Sequence, residues 1–239
     1  MVIPLLWLPL PSQASECVIL LHGLLRSSSS MNKLETALSD AGYHVVNVDY
    51  PSRQKPIEEL APLAINSGLA QCRAAHALPV NFVTHSLGGI LVRQYYQQQQ
   101  PDEVHRVVML GPPNQGSEVV DKLRDLPGFE LLNGPAGLQL GTDVASLPKN
   151  LGAVNFELGV IAGTESINLL TLPFMPEPND GAVTLQNTRV EGMCSFIALP
   201  TTHVFMMKND AVIEQVIHFL QQGRFIDQTA DNNDCNPSP

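Results

Sequence analysis

No run of basic residues occurs in this 239-residue sequence, and charged side chains of either sign are few. Thirteen Lys and Arg residues stand against 23 Asp and Glu, which gives a formal net charge of −10 at pH 7. Because binding to nucleic acid needs clustered cations to neutralise phosphates, the composition argues against a nucleic-acid partner. The hydrophobic fraction of 44% and the charged fraction of 15% are typical of a compact globular protein rather than a disordered chain.

The cysteines also lack a spacing that would point to metal or redox chemistry. None of the four forms a C-x-x-C pair, which disfavours zinc binding and thioredoxin-like chemistry: Cys17, Cys72, Cys194 and Cys235. An even number of cysteines is compatible with disulfides and allows three pairings. No motif in the sequence implies a cofactor or a catalytic metal.

The first fourteen residues, MVIPLLWLPLPSQA, contain an apolar run that is too short to span a bilayer. The run and its small-residue ending, S-Q-A, are typical of a secretory signal peptide, although no Lys or Arg follows Met1. We therefore interpret residues 1–14 as a signal peptide of an exported protein, periplasmic or secreted. The alternative is an N-terminal strand or buried arm.

Apolar runs and helical patterns alternate along the rest of the chain. Strands are predicted at residues 17–23, 44–51, 80–84, 106–111, 156–163 and 194–200, and a last helix at 211–220. The helix predicted after the second strand contains Pro62, which should kink or divide it. This alternation predicts one α/β domain over residues 15–226, with a doubly wound, mostly parallel sheet and flanking helices.

Two segments depart from the alternation. Residues 117–150 are rich in Gly and Pro and contain only short helical patterns, so we interpret them as an insertion that covers part of the cleft as a lid. A rigid structural insertion is the alternative. Residues 227–239, DQTADNNDCNPSP, are predicted to be a flexible polar tail.

Three residues with complementary chemistry lie after predicted strands, where ligands bind in such sheets. Ser86 directly follows the strand at 80–84 in T-H-S-L-G, a setting typical of a nucleophile on a strand-turn-helix elbow. Asp180 lies in the N-D-G turn and His203 follows the last strand. Their order, Ser, Asp, His, is the order that a catalytic triad has in such a fold.

Each of these residue types has a role in acyl transfer. A serine hydroxyl attacks a carbonyl once a histidine accepts its proton, and an aspartate fixes the histidine tautomer and stabilises its charged form. The carbonyl oxygen then becomes an oxyanion, which two backbone N–H groups must receive. We predict that these belong to Leu87, directly after the nucleophile, and Leu24, in the loop after the first strand.

Five segments in order, LLHGL, THSLGG, GPPNQGS, NDGAV and TTH, resemble the α/β-hydrolase superfamily, especially bacterial triacylglycerol lipases and small exported lipase-like hydrolases. The resemblance covers nearly all of residues 17–225. It implies an α/β-hydrolase fold with Ser86 as nucleophile, Asp180 as acid, His203 as base and Leu24 and Leu87 as oxyanion donors. Thr84 replaces the first glycine of the G-x-S-x-G motif. We expect it to fit with a slight shift, because Gly88 and Gly89 keep the other side open.

Other readings of the same residues remain open. Ser86 taken alone is more often a turn or cap residue, and Asp143 or Glu165 could serve as the acid instead of Asp180. The leading hypothesis is a serine carboxylic-ester hydrolase, a lipase or esterase, acting on a small acyl ester or lipid. An acyltransferase or thioesterase would use the same triad, and a non-catalytic lipid- or peptide-binding module could keep the fold.

The predicted topology also indicates which cysteines could form disulfides. In a parallel α/β sheet the strands begin, and the crossover helices end, on the face opposite the ligand site. Cys17 opens the first strand and Cys72 lies late in the second helix, so we predict a Cys17–Cys72 disulfide. Cys194 opens the last strand and Cys235 lies in the tail, which predicts the second pair, Cys194–Cys235. Four reduced cysteines are the alternative.

Overall fold

A computed structural model describes residues 15–167, 175–176 and 178–226 of the chain. Within these residues six strands form one sheet in the order β2-β1-β3-β4-β5-β6, and every neighbouring pair is parallel. The strands are β1 (Cys17–Leu21), β2 (His44–Val48), β3 (Val80–His85), β4 (Val104–Leu110), β5 (Glu157–Gly163) and β6 (Ser195–Leu199). The predicted parallel α/β architecture is confirmed.

In the described ranges, seven α-helices connect or follow the strands. They are α1 (Asn32–Asp40), α2 (Ile57–Ala74), α3 (Leu87–Tyr96), α4 (Glu118–Leu123), α5 (Phe129–Leu138), α6 (Leu147–Asn150) and α7 (Asp210–Gln222). Helices α2 and α3 pack together on one face of the sheet, whereas α1 and α7 pack on the other. Helices on both faces are the reason that the central strands are apolar on both sides.

Strand β1 shows how the sequence produces this two-sided burial. All five of its residues are buried. Cys17, Ile19 and Leu21 belong to the core with α2 and α3, whereas Val18 and Leu20 belong to the core with α1 and α7. Successive side chains of a strand point to opposite faces, so a continuous apolar run fills two cores at once.

The crossover order places the site at the middle of the sheet. The chain leaves β1 for β2 on one side, and then returns across β1 to β3 on the other side. The loops after β1 and β3 therefore diverge at a topological switch point, where open α/β sheets bind ligands. Ser86 follows β3, and the loop with Leu24 follows β1.

Pro62 does not divide helix α2, which excludes one of the two outcomes predicted for this proline, a kink or a division. The helix is assigned continuously from Ile57 to Ala74 with Pro62 inside. Burial of one helical face, including Leu60, Ala61, Ala64 and Ile65, keeps the segment against the sheet on both sides of the proline. Tertiary packing offsets the backbone hydrogen bond that a proline cannot donate.

A disulfide joins Cys17 to Cys72, as the topology predicts, with a Cα–Cα distance of 5.8 Å. It ties the start of β1 to the last turns of α2, at the end of the sheet away from Ser86. The predicted Cys194–Cys235 pair lies outside the described residues, because Cys235 does. The proposed leader, residues 1–14, and the proposed tail, residues 227–239, lie outside them as well. Among the helices that the structure describes, none has both the length and the apolar character needed to cross a bilayer.

Candidate active site

Ser86 stands at the junction of β3 and α3 with a backbone conformation that L-amino acids rarely adopt. Its φ is 51° and its ψ is −117°, and it occupies the N-cap position of α3. The Ser86 N–H donates to the carbonyl of Leu110 on β4 at 2.9 Å, which holds the turn against the sheet. A positive φ at a non-glycine residue costs free energy and is concentrated at functional sites. The turn has the shape of a nucleophile elbow.

Gly88, rather than the residue at position 84, allows helix α3 to pack closely against β1. A Cβ atom on Gly88 would lie 2.6 Å from the carbonyl oxygen of Leu21, so only glycine lets α3 come this close to β1. Thr84 is fully buried in β3 and its Oγ1 lies 3.5 Å from the Val108 carbonyl oxygen. A threonine therefore fits where the G-x-S-x-G motif has its first glycine.

Asp180 and His203 come together at the same edge of the sheet, from the loops after β5 and β6. His203 Nδ1 lies 2.7 Å from Asp180 Oδ2, and the His203 N–H donates to the Asp180 carbonyl at 2.9 Å. The Asp180 side chain is fully buried and that of His203 is 13% exposed. The other carboxylate oxygen, Oδ1, accepts from the N–H groups of Ala182 and Val183.

The alternative acids lie elsewhere. The Asp143 carboxylate pairs with Arg124 at 2.9 Å. Glu165 is exposed. Among the described residues, Asp180 is the carboxylate that contacts the His203 ring. The structure thus brings together the histidine and the acid that the order of the sequence favoured.

Gly111 makes room for this pair. It follows β4 with a φ of 54°, and a Cβ atom there would lie 2.9 Å from Asp180 Oδ2 and 3.1 Å from His203 Nδ1. Any larger residue would push into the hydrogen bond between the two side chains. Sequence reasoning did not single out Gly111, although a glycine directly after an apolar strand at the ligand edge is a recognisable signal.

The hydroxyl of Ser86 has no hydrogen-bond partner in the described part of the chain. The link between the serine and the histidine pair runs instead through the neighbouring residue, His85. Its Nε2 lies 2.9 Å from the His203 carbonyl oxygen, and the two imidazole rings are 4.7 Å apart between centroids. Catalytic hydrogen bonds are often long in the absence of substrate, so an unpaired serine hydroxyl is compatible with catalysis.

His85 is held as a neutral imidazole. Burial lowers its pKa well below the ordinary value of 6.5, and the charge of His203 lowers it further. Since the His203 carbonyl can only accept, the proton of His85 must be on Nε2. Its Nδ1 is buried without a hydrogen-bond partner among the described residues. The contact of His85 is thus with the backbone of the loop that carries His203.

The loop after β1 is fixed by His22 and Tyr50. Their rings stack with centroids 4.1 Å apart, and the Tyr50 hydroxyl donates to the His22 carbonyl. His22 Nδ1 donates to the carbonyl of Gly23 at 2.9 Å, while burial lowers the pKa of the ring. Tyr50 is a residue that the sequence analysis missed, because its contact with His22 spans 28 positions.

This loop passes directly beside Ser86. A Cβ atom on Gly23 would lie 3.2 Å from Ser86 Cβ, so Leu24 directly follows a residue that packs against the serine. Within the described residues neither Leu24 nor Leu87 donates its backbone N–H to a protein acceptor. Leu25 follows with a φ of 60°, another strained backbone. Two free N–H groups therefore flank the serine, as an oxyanion site requires.

No group of three or more His, Cys, Asp or Glu side chains in the described ranges is arranged to hold a metal ion. The titratable groups at this edge of the sheet include the histidines 22, 85 and 203 and the carboxylate of Asp180. They form contacts with each other and with the backbone, a chemistry suited to proton transfer and to binding an oxyanion.

Comparison with solved structures identifies the same architecture elsewhere. The propeptide form of a lipase from Bacillus licheniformis superposes with a TM-score of 0.71 at 20% identity, covering 93% of this chain and 54% of that one. The chain thus spans about half the length of that protein. The mature form of the lipase gives 0.67 at 19% identity, with coverages of 90% and 94%. A metagenomic carboxyl esterase gives 0.64 at 18% identity, with coverages of 84% and 69%.

These identities are low, and the structural likeness establishes the shared fold. No curated protein sequence matches the chain. The family model described as the alpha/beta hydrolase family matches residues 18–215, which is most of the chain and includes Ser86, Asp180 and His203. The chain belongs to the alpha/beta hydrolase family.

Proposed function

We propose that the protein is a serine carboxylic-ester hydrolase, a lipase or esterase, that works through an acyl-enzyme. The observation that carries the proposal is the strained elbow at Ser86 beside a buried Asp180–His203 pair. A residue that only turned the chain would not need a nearby histidine whose ring is fixed by a fully buried carboxylate. The fold that the chain shares with a lipase and a carboxyl esterase agrees with this chemistry.

In the first half of the reaction, the Ser86 hydroxyl attacks the ester carbonyl and its proton passes to His203 Nε2. The tetrahedral intermediate places its negative oxygen between the N–H groups of Leu24 and Leu87. His203 then gives the proton to the leaving alcohol as the C–O bond breaks. In the second half, water attacks the acyl-enzyme by the same route and releases the carboxylic acid and free Ser86.

The pair of His203 and Asp180 supplies the orientation that this transfer needs. With Nδ1–H donated to the carboxylate, Nε2 is the free nitrogen and can act as the base. The hydrogen bond between Ser86 Oγ and His203 Nε2 is the contact that the triad still lacks. A substrate that displaces solvent from the site would allow it to form.

A fluorophosphonate probe followed by intact-mass measurement tests the proposal. We expect one probe per folded molecule, attached at Ser86, and no labelling of Ser86→Ala. His203→Ala should be labelled far more slowly, because the hydroxyl then lacks its base. Hydrolysis of p-nitrophenyl esters of increasing chain length would identify the preferred acyl group. Absence of labelling in folded protein would contradict an enzymatic function and favour a binding module.

We also propose that the protein is exported. The Cys17–Cys72 disulfide is the supporting observation, because structural disulfides persist in oxidising compartments. Mass mapping of protein secreted from cells that carry the full sequence would test this. Retention of residues 1–14 in an intracellular, reduced product would contradict it.

A further inference from the structure

A cavity of about 610 Å³ opens beside the loop that follows β1. Leu25 forms part of its wall, and the rest is polar: Arg26, Arg53, Lys208, Ser27, Ser29 and Ser30. We call this the basic cavity. Its volume lies within the range of about 300–1,000 Å³ that small-molecule sites occupy. Three cations gathered around one cavity are unexpected in a chain whose net charge is −10.

None of these three cations forms an ion pair with a carboxylate in the part of the chain that is described. Other cations of the protein do pair, among them Lys33, Lys55, Arg73, Arg106 and Arg124. The neighbouring carboxylate of Asp49 accepts from the Ser28 N–H and does not line the cavity. The positive charge of the basic cavity is therefore not neutralised by the protein.

Two residues that line the basic cavity follow residues of the candidate active site closely in the chain. Leu25 directly follows the oxyanion donor Leu24, and Lys208 ends the short 3₁₀ turn Met206–Lys208 that comes after His203. Burial and the charge of His203 are the larger causes of the lowered pKa of His85, and the charge of Arg26 adds to them. A group bound in this cavity would lie between the oxyanion loop and the histidine loop.

Resting on the proposed ester hydrolysis, we infer that the basic cavity binds an anionic group of the substrate, a phosphate or a carboxylate. Guanidinium and ammonium groups form strong charge-assisted hydrogen bonds with such oxyanions. The rest of the protein carries an excess of negative charge that repels anions, so local unpaired cations are needed to attract one. The serine hydroxyls supply further hydrogen-bond donors. The substrate class is thus an ester with a negative charge close to its scissile bond.

The first experiment measures anion binding without catalysis. Inorganic phosphate is titrated into Ser86→Ala by calorimetry at low ionic strength, where exposed charges are screened least. We expect binding that weakens about threefold to tenfold when Arg26→Gln, Arg53→Gln or Lys208→Gln is added, because each substitution removes one exposed charged contact. Lys149→Gln is the matched control, since Lys149 is an exposed cation that lines a different cavity. Equal weakening by the control would overturn the inference.

The second experiment uses matched substrates. Mono-4-nitrophenyl glutarate and 4-nitrophenyl pentanoate differ by a carboxylate on the acyl side. 4-Phosphophenyl pentanoate and phenyl pentanoate differ by a phosphate on the alcohol side. We expect a charged ester to be preferred in kcat/KM, and the ratio of charged to neutral rates to fall about threefold to tenfold in each cavity variant but not in Lys149→Gln. The substrate pair whose rate ratio falls identifies the anion, carboxylate or phosphate, and the side of the ester, acyl or alcohol, that carries it.

The two experiments separate this inference from the proposed function. If no ester is hydrolysed but phosphate binding depends on Arg26, Arg53 and Lys208, the ester hydrolase is wrong and the anion site stands. If neutral esters are hydrolysed while phosphate binding and the rate ratio are the same in all variants, the hydrolase stands and the anion site is wrong.

Discussion

Both oxygens of the Asp180 carboxylate are engaged, and they are engaged differently. Oδ2 lies 2.7 Å from His203 Nδ1, whereas Oδ1 accepts the N–H groups of Ala182 at 3.0 Å and Val183 at 2.8 Å. Two backbone donors thus fix the rotation of the carboxylate. Because the carboxylate cannot turn, its second oxygen is held towards the imidazole, and the tautomer of His203 is determined by the loop that carries the acid.

This arrangement predicts the effect of Asp180→Asn. The amide oxygen must stay with the two backbone donors, so the amide NH2 group faces His203 Nδ1. That nitrogen then has to accept, which moves the imidazole proton to Nε2 and removes the base. We expect a folded protein with an unchanged melting temperature to within a few degrees and a kcat lower by about 10³ to 10⁴. Steady-state kinetics beside a thermal melt would measure both.

Asp143→Asn is the control for that substitution, because it removes a carboxylate that pairs with Arg124 near the surface. It should keep activity near the wild-type value. A dead Asp143→Asn or Glu165→Gln together with an active Asp180→Asn would show that the acid has been assigned to the wrong residue.

Much of the fold and part of the site are local properties of the sequence. The run from Cys17 to Leu21 predicts a strand buried on two faces, and the strand before Ser86 and the helix after it predict the elbow. Contacts between segments that are distant in the sequence cannot be predicted from such local patterns. Neither the hydrogen bond from His85 to the His203 backbone, 118 positions away, nor the room that Gly111 leaves for the Asp180–His203 pair follows from local pattern. They depend on how tertiary packing brings the loops at the strand ends together.

A pH dependence of stability follows from the buried His85. Its pKa is lowered from 6.5 by burial, so below pH 6.5 the unfolded chain binds a proton that the folded protein does not. Stability therefore falls as pH falls. His85→Gln removes this proton uptake while its amide keeps a donor for the His203 carbonyl. Between pH 7 and pH 5.5, we expect the variant to lose about 1 kcal/mol less unfolding free energy than the wild type.

Urea unfolding at both pH values would measure the difference. The variant has the same carboxylates and the same His22, so their contributions to acid destabilisation cancel in the comparison. Parallel pH profiles for the two proteins would mean that His85 is protonated in the folded state, contrary to its burial.

The Cys17–Cys72 disulfide should contribute stability without contributing to chemistry. It closes a loop with a sequence separation of 55 and lies at the end of β1 opposite the elbow. Replacing both residues in Cys17→Ala/Cys72→Ala should lower the unfolding free energy by about 2 to 4 kcal/mol. The kcat of the folded double variant should stay within about twofold of the wild type, because no contact of the site is lost.

Reductant provides the matched comparison, since reduced wild-type thiols still fill the space that alanine leaves empty. Wild type in reductant should lose stability, and the double variant in reductant should lose less. A double variant as stable as the oxidised wild type would contradict the role of the disulfide.

The insertion after β4, residues 117–150, is predicted to cover part of the acyl site, and its two halves are anchored differently. The C-terminal half of α5 is attached: a Cβ atom on Gly137 would lie 3.1 Å from a methyl carbon of Leu24, and the side chain of Gln139 accepts the Ile57 N–H at 2.8 Å. The N-terminal half exposes leucines, with Leu131 90% exposed. Gly134, between them, has a non-helical backbone that separates the halves.

We therefore expect hydrogen exchange to change in only one half when the site is occupied. A phosphonate ester with an alkyl chain, bound covalently at Ser86, should slow exchange in residues 126–133, whose exposed leucines would close over the chain. Residues 135–140 should change little, because they already contact Leu24 and α2. Ser86→Ala treated with the same compound is the control, since it forms no adduct. Slowed exchange around Ser86 with unchanged exchange throughout 117–150 would make the insertion a rigid structural element rather than a lid.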